Sequence, residues 1–285
     1  MILSPDTSAA AALALGGASL VAALAYAAVA LTAPQPAESA SASPRRQGLL
    51  LLAWAAHLLA LVIDIAGIGL ARPGARFGFA PALSMTVWLV LAVYMVESRF
   101  VPLQSSRRVL AGLAALAVLL ALLFQGESRP QAASPWAPLH WVLGLASYGL
   151  FGTAVLHAVL LSRAERQLRQ KPTAAKLATT AGTPGMPLLR LERLTFQFVA
   201  AGVAVLSLAI LLGWWFTPHW RWDHKNLLAL LGWIVLAGLL AGRRIFGWRG
   251  RRATRWLYVG AALLLLSYAG SRFVLEVVLQ RGSPA

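Results

Sequence analysis

The densest chemistry in this 285-residue chain is Trp220-Arg221-Trp222-Asp223-His224-Lys225. Indole faces, an acid, an imidazole and an ammonium stand side by side between two long apolar runs. Such a surface suits a flat apolar macrocycle with carboxylates, since aromatic faces pack on the ring and basic groups meet its acid edge. Trp233 follows about two turns into the next apolar run. Trp214 and Trp215 fit the ordinary aromatic belt at the headgroup level; the Trp220, Trp222, Asp223 and Trp233 group fits it less well. His140, in Pro138-Leu139-His140-Trp141, opens one apolar run and His224 opens another. Two imidazoles at one membrane level on different helices can hold one iron from opposite faces of a porphyrin. Interfacial histidines are common, so spacing alone leaves that choice open. Arg272, in Gly270-Ser271-Arg272, is the candidate for a ligand carboxylate, with Glu276 four residues later as a competing partner.

Three further histidines complete the set of five. His57 lies inside an apolar run, roughly 14 Å from its cytoplasmic end at about 1.5 Å per residue. Asp64 follows seven residues later, nearly on the same helical face. Ionisable groups at membrane depth usually face a cavity or a partner. His57 is therefore either a neutral imidazole bonded to a neighbouring helix, or an iron ligand or proton carrier. His157 reads as a packing residue and His219 as a solvated one. The chain has no cysteine, which excludes disulfides, thiolate metal sites and thioether attachment of haem.

These residues are positioned by membrane helices. Hydrophobic residues make up 59% of the chain and charged ones 12%, with a mean hydropathy of +0.70. Soluble domains keep about a quarter of their residues charged. A crossing helix needs about 20 mostly apolar residues. Eight runs qualify: 8–32, 48–70, 79–97, 108–124, 136–161, 194–216, 225–242 and 255–279. The fold class is thus all-α and polytopic, a single transmembrane domain over 1–285. The first run lacks a basic n-region and is read as an uncleaved helix. Arg163-Ala164-Glu165-Arg166-Gln167 prolongs the fifth helix into the cytoplasm, and Gly182-Thr183-Pro184-Gly185 reads as a turn before Leu191-Glu192-Arg193 opens the sixth.

The formal charge of +16 sits almost entirely between the apolar runs. Odd-numbered connections hold most of the cations, from Arg45-Arg46 to the Arg249–Arg255 cluster. Even-numbered ones hold only Arg72, Arg76, Arg129, Arg221 and Lys225. The positive-inside rule then places the odd connections in the cytoplasm, and both termini and the tryptophan-rich loop outside. Nucleic acid is excluded as a partner on the same ground. Gly247-Trp248-Arg249-Gly250-Arg251-Arg252 becomes a cytoplasmic anchor to lipid phosphate.

Trp220-x-Trp222-Asp223-x-Lys225, followed by Ala229-Leu230 and Trp233, resembles the tryptophan-rich "WWD" motif of cytochrome c assembly proteins of the CcsA/CcmC type. His57, Leu139-His140 with Ser147-Tyr148, Leu191-Glu192-Arg193, His224-Lys225, Gly247-Trp248-Arg249-Gly250 and Gly270-Ser271-Arg272 occur in the order seen in the small eight-helix YpjD-like branch. The resemblance spans residues 48–279. It implies a bacterial inner (plasma) membrane protein that binds haem b non-covalently at its exterior face and takes part in cytochrome c biogenesis. By matching position, Trp220, Trp222 and Asp223 form the haem-presenting loop, His140 and His224 are the exterior iron ligands, and His57 is a histidine inside the membrane. Other maturation proteins or an apocytochrome are the implied partners, beside membrane lipid. The loop is short, and no large exterior domain is present to receive an apocytochrome. No catalytic residue is assigned.

Two other functions remain open from sequence. One is an accessory or structural partner in a membrane complex, docking through the basic connections. The other is a small-solute transporter with His57, Asp64, Arg272 and Glu276 along a polar path. The chain lacks the repeated pair of Gly/Pro-broken helices that marks many transporter sites.

Overall fold

A computed structural model gives the architecture, and it describes residues 8–32, 44–69, 74–98, 104–130, 135–170, 188–216 and 222–279. Among the described residues, eight helices are long and apolar enough to cross a membrane. They are α1 Ala9–Leu31, α2 Pro44–Ile65, α3 Phe79–Glu97, α4 Gln104–Leu123, α5 Ala137–Gln170, α6 Leu188–Phe216, α7 His224–Phe246 and α8 Gly250–Val278. The protein is a polytopic helical membrane protein, as its composition requires. One small addition escapes the sequence: β1 Gly74–Phe77 pairs antiparallel with β2 Glu127–Pro130, Arg76 opposite Ser128. The ribbon joins the connection after α2 to the connection after α4, so both lie at the same end of their helices.

Helix bounds follow local chemistry. α2 stops at Ile65, short of the expected residue 70, because Gly67 and Gly69 take the left-handed region at φ 62° and 83°. The carbonyl of Gly69 accepts from the Ser8 amide at 2.8 Å, and Ser8 caps α1 through its hydroxyl. α5 runs on to Gln170, as its charged extension suggests. α7 begins at an Asp223 N-cap, whose carboxylate accepts from the Asn226 amide at 2.8 Å, and ends at Gly247 with φ 63°. Near its C-terminal end α8 passes through two π-helical stretches, Leu266–Gly270 and Val274–Val278, on either side of Ser271–Phe273.

Within what the sequence reads as one transmembrane domain, contacts divide the chain into two compact units: Met1–Pro135 with Ala269–Ala285, and Trp136–Tyr268. In the first, α1 packs on α2 and α4, and α3 on α4 and α2. The buried face of α1 is mostly small: Ala11, Ala12, Ala18, Ala22 and Ala25, with Tyr26 among them, while Leu13, Leu24 and Leu31 are exposed. Lipid tails are as apolar as leucine, so helices in a bilayer gain by close backbone approach rather than by apolar burial. In the second unit α6 packs on α5, and α7 on α8. The α6 seam is Leu191, Thr195, Val199, Gly202, Leu206, Ala209 and Gly213. Where α7 meets α8, a Cβ on Gly260 would lie 2.5 Å from Leu236 Cγ, closer than any real contact, so only glycine permits that approach.

Candidate functional site

In the second unit, the end bearing the start of α5 and the start of α7 gathers several of the sequence candidates. His140 occupies the first turn of α5 and is half-buried. Its Nδ1 lies 2.8 Å from the Ala209 carbonyl of α6. A carbonyl only accepts, so the neutral ring carries its proton on Nδ1 and keeps the lone pair on Nε2. The edge of Phe216 holds the ring from the side, at 5.6 Å between centroids and 80° between planes. Gly213 makes the room: a Cβ there would lie 2.8 Å from His140 Cε1. One ring nitrogen is thus fixed to the scaffold and the lone pair stays on the other, an arrangement also used to orient metal-binding imidazoles.

The start of α7 lies beside it. Lys225 is within Coulombic range of the His140 ring, and its ammonium sits over the Tyr268 ring at 5.5 Å. Asp223 caps the helix, His224 is its exposed first residue, and Trp222 is 73% exposed. Trp220, with His219 and Arg221, lies outside the described residues. Trp233 has a different surrounding from that of a loop aromatic. Its Nε1 donates to Ser207 Oγ at 2.8 Å, and Ser207 donates to the Val203 carbonyl at 2.7 Å, so the indole braces α7 on α6. Tyr148 braces α5 on α8 in the same way, its hydroxyl donating to the Leu264 carbonyl at 2.5 Å.

Arg272 and His57 belong to the first unit. Arg272 is 9% exposed. Its Nε lies 3.6 Å from Glu276 and its terminal nitrogen 3.4 Å from the Phe77 carbonyl. The guanidinium is engaged by the chain itself, which is the competing partnership that the four-residue spacing foretold. His57 is 1% exposed, with Nε2 at 2.7 Å from Ser84 Oγ and Nδ1 at 3.4 Å from the Tyr26 hydroxyl. Asp64 meets Arg76 of β1 at 3.4 Å, a partner on the ribbon that spacing along α2 does not reveal. His157 bonds the Thr153 carbonyl at 2.8 Å and stacks on Phe198, a packing role. Among the described residues, no three His, Cys, Asp or Glu side chains come together as a metal cluster.

At the opposite end of the second unit, Glu192 lies 3.7 Å from both Arg243 and Arg249. Arg243 stacks on Phe196 at 3.5 Å and Arg252 on Trp248 at 4.4 Å. The two motifs Leu191-Glu192-Arg193 and Gly247-Trp248-Arg249-Gly250 therefore belong to one cluster. Sequence reasoning missed Gly213, Phe216 and the Ala209 carbonyl. Only the regular small-residue seam of α6 hinted at them.

A profile described as cytochrome C assembly protein matches residues 42–279. The chain belongs to the cytochrome c assembly protein family. The matched stretch takes in His140, the tryptophan-rich loop, His57 and Arg272. Inner membrane protein YpjD of Escherichia coli (strain K12) is 35% identical over 150 residues, covering 51% of this chain and 54% of that protein. Cytochrome c biogenesis protein CcsA of Synechococcus sp. (strain JA-2-3B'a(2-13)) is 30% identical over 121 residues, covering 38% of this family member and 34% of that protein. The CcsA of Parasynechococcus marenigrum (strain WH8102) is 27% identical over 163 residues, covering 50% and 53%. The chain thus spans about half the length of the curated relatives it matches, or less. No solved structure matches it significantly.

Proposed function

We propose that this family member handles haem in cytochrome c biogenesis, in a bacterial inner membrane, with the haem site at the α5/α7 end of the second unit. The observation that carries the reading is His140: its Nδ1 is tied to the Ala209 carbonyl at 2.8 Å, and Gly213 leaves room for the ring to sit against α6. That is the donor chemistry an iron porphyrin needs from an axial imidazole. Bound there, haem would supply a Lewis-acidic iron. His140 would hold it through one nitrogen of a fixed ring, and His224, exposed at the helix start, would hold it through another. Trp222 would offer a face to the macrocycle, with Trp220 assigned the same role by its motif, and Lys225 would offer a cation to a propionate. Arg272, the sequence candidate for a propionate, is paired with Glu276 within the first unit. Without cysteine the chain holds haem b non-covalently. Maturation proteins or an apocytochrome are the partners this reading assigns. The names of the CcsA and YpjD relatives support both the pathway and the membrane.

The test is a visible absorption spectrum of the full-length protein in detergent, oxidised and then reduced with dithionite. A Soret band with sharp reduced α and β bands is expected, diminished in His140→Ala and in His224→Ala. Acidification should strip haem, because a proton competes for the same lone pair that binds iron. A protein that stays colourless after haem is supplied overturns the reading and favours a structural partner in a membrane complex.

A further inference from the structure

At the end of the second unit away from His140, six arginines stand between residues 243 and 255 with no acid among them. Glu192 of α6 reaches two of them, Arg243 and Arg249, each at 3.7 Å. One carboxylate cannot balance six guanidinium groups, and Arg244, Arg251, Arg252 and Arg255 are all exposed. The first turn of α8 has neither an acidic residue nor a side-chain cap, so its amides add to the same positive field. Charge alone would give only a diffuse attraction to any anion. Two features of the structure narrow it to a site.

The first is a fixed turn. Only Gly247-Trp248-Arg249 separates α7 from α8, and Gly247 and Gly250 both take the left-handed region, at φ 63° and 57°. Trp248 folds back on α7. Its amide donates to the Gly242 carbonyl at 3.3 Å, and a Cβ on Gly242 would lie 2.5 Å from Trp248 Cε3, so the ring rests on bare backbone. Arg252 stacks on that ring at 4.4 Å. Stacking uses the face of a guanidinium and leaves its edge donors for an acceptor. Arg249, whose Nε faces Glu192, has a side chain 70% exposed. The second feature is an apolar surface beside these cations. Ile245 and Phe246 in the last turn of α7 are each 72% exposed, and Trp256 early in α8 is 42% exposed. Both helices are long and apolar enough to cross a membrane. A free anion gains nothing from that surface, whereas an amphiphile with an anionic head covers both parts.

We propose that the turn between α7 and α8 is a binding site for one anionic phospholipid. Its phosphate accepts from Arg249 and Arg252, and its acyl chains cover Ile245, Phe246 and Trp256. Glu192 acts as a positioning residue, holding Arg243 and Arg249 from the protein side. The site shares no residue with the proposed haem site and stands independently of it.

The experiment is native mass spectrometry of the full-length protein, released from detergent with equimolar phosphatidylglycerol and phosphatidylcholine. One retained phosphatidylglycerol per chain is expected, preferred over phosphatidylcholine about tenfold. Arg249→Gln with Arg252→Gln should abolish that preference. Arg163→Gln with Arg166→Gln removes the same charge from exposed positions near the end of α5 and should leave it intact. All four substitutions fall on exposed side chains, so the α-helical circular dichroism should not change. Equal retention of the two lipids overturns the proposal, and so does an equal loss of preference in both double variants, which would mean diffuse charge. Displacement of the lipid by an equal concentration of inorganic phosphate overturns it as well, since the ligand would then be a free anion.

Discussion

At the scale of the residue, the site turns on how one imidazole is held. His140 is legible in the sequence as an interfacial histidine, and its type already suggests a ligand. What makes it a directed one is the Ala209 carbonyl at 2.8 Å and the missing side chain at Gly213, 69 and 73 positions along the chain. No local pattern could announce that pairing. Gly213→Ala would set a Cβ 2.8 Å from Cε1, forcing the ring to turn away from its carbonyl. Loss of such an orienting contact typically lowers metal affinity about 10–100-fold. Haem titration of Gly213→Ala, followed at the Soret band, should therefore show weakening in that range, with the α-helical circular dichroism unchanged. Asp223, by contrast, was read from its neighbours as a haem contact, and the structure shows it capping α7. Both roles suit a carboxylate at a helix start, because such a start offers unsatisfied amides.

At the scale of the element, α7 is fastened at two points that can be tested separately. Asp223→Ala removes the cap and should cost about 1 kcal/mol, seen as a lower apparent melting midpoint in detergent. Trp233→Phe keeps the ring but loses the bond to Ser207, for about another 1 kcal/mol. The two changes lie well apart on the helix, so their effects should add. In the first unit the ribbon does similar work, since β1 carries Arg76 to Asp64. The side chains of that pair are 4% and 5% exposed. Arg76→Ala strands a buried carboxylate and should cost about 3–5 kcal/mol, whereas Arg76→Met with Asp64→Leu should cost much less. Thermal unfolding of the two variants side by side checks the order. Hydropathy located α2 and α3 because each has a composition of its own. The ribbon between their connections was not legible, because four-residue strands depend on a partner from elsewhere in the chain.

For the whole molecule, the distribution of arginine makes a prediction about orientation. A reporter that is active only outside the cytoplasm should work when fused after Leu279 and fail when placed within residues 171–187. The reverse pattern would put the α5/α7 end in the cytoplasm and would overturn the proposed exterior haem site. The family match over residues 42–279 reaches into both compact units but leaves α1 out, so His57, Ser84 and Asp64 lie within it while Ser19 and Tyr26 do not.

The sequence by itself determined the number of crossing helices and the side chains proposed here to bind iron. Each of these is a matter of composition or local period, and a bilayer admits few folds that satisfy every backbone group. The tertiary structure decided which carbonyl fixes His140, which cation meets Asp64 and which helices Trp233 and Tyr148 brace. It also put His57 and Asp64 on the lining of one small pocket. Those pairings join positions that are far apart in the chain. They exist because glycine and alanine let membrane helices approach until a single hydrogen bond sets what the site can do.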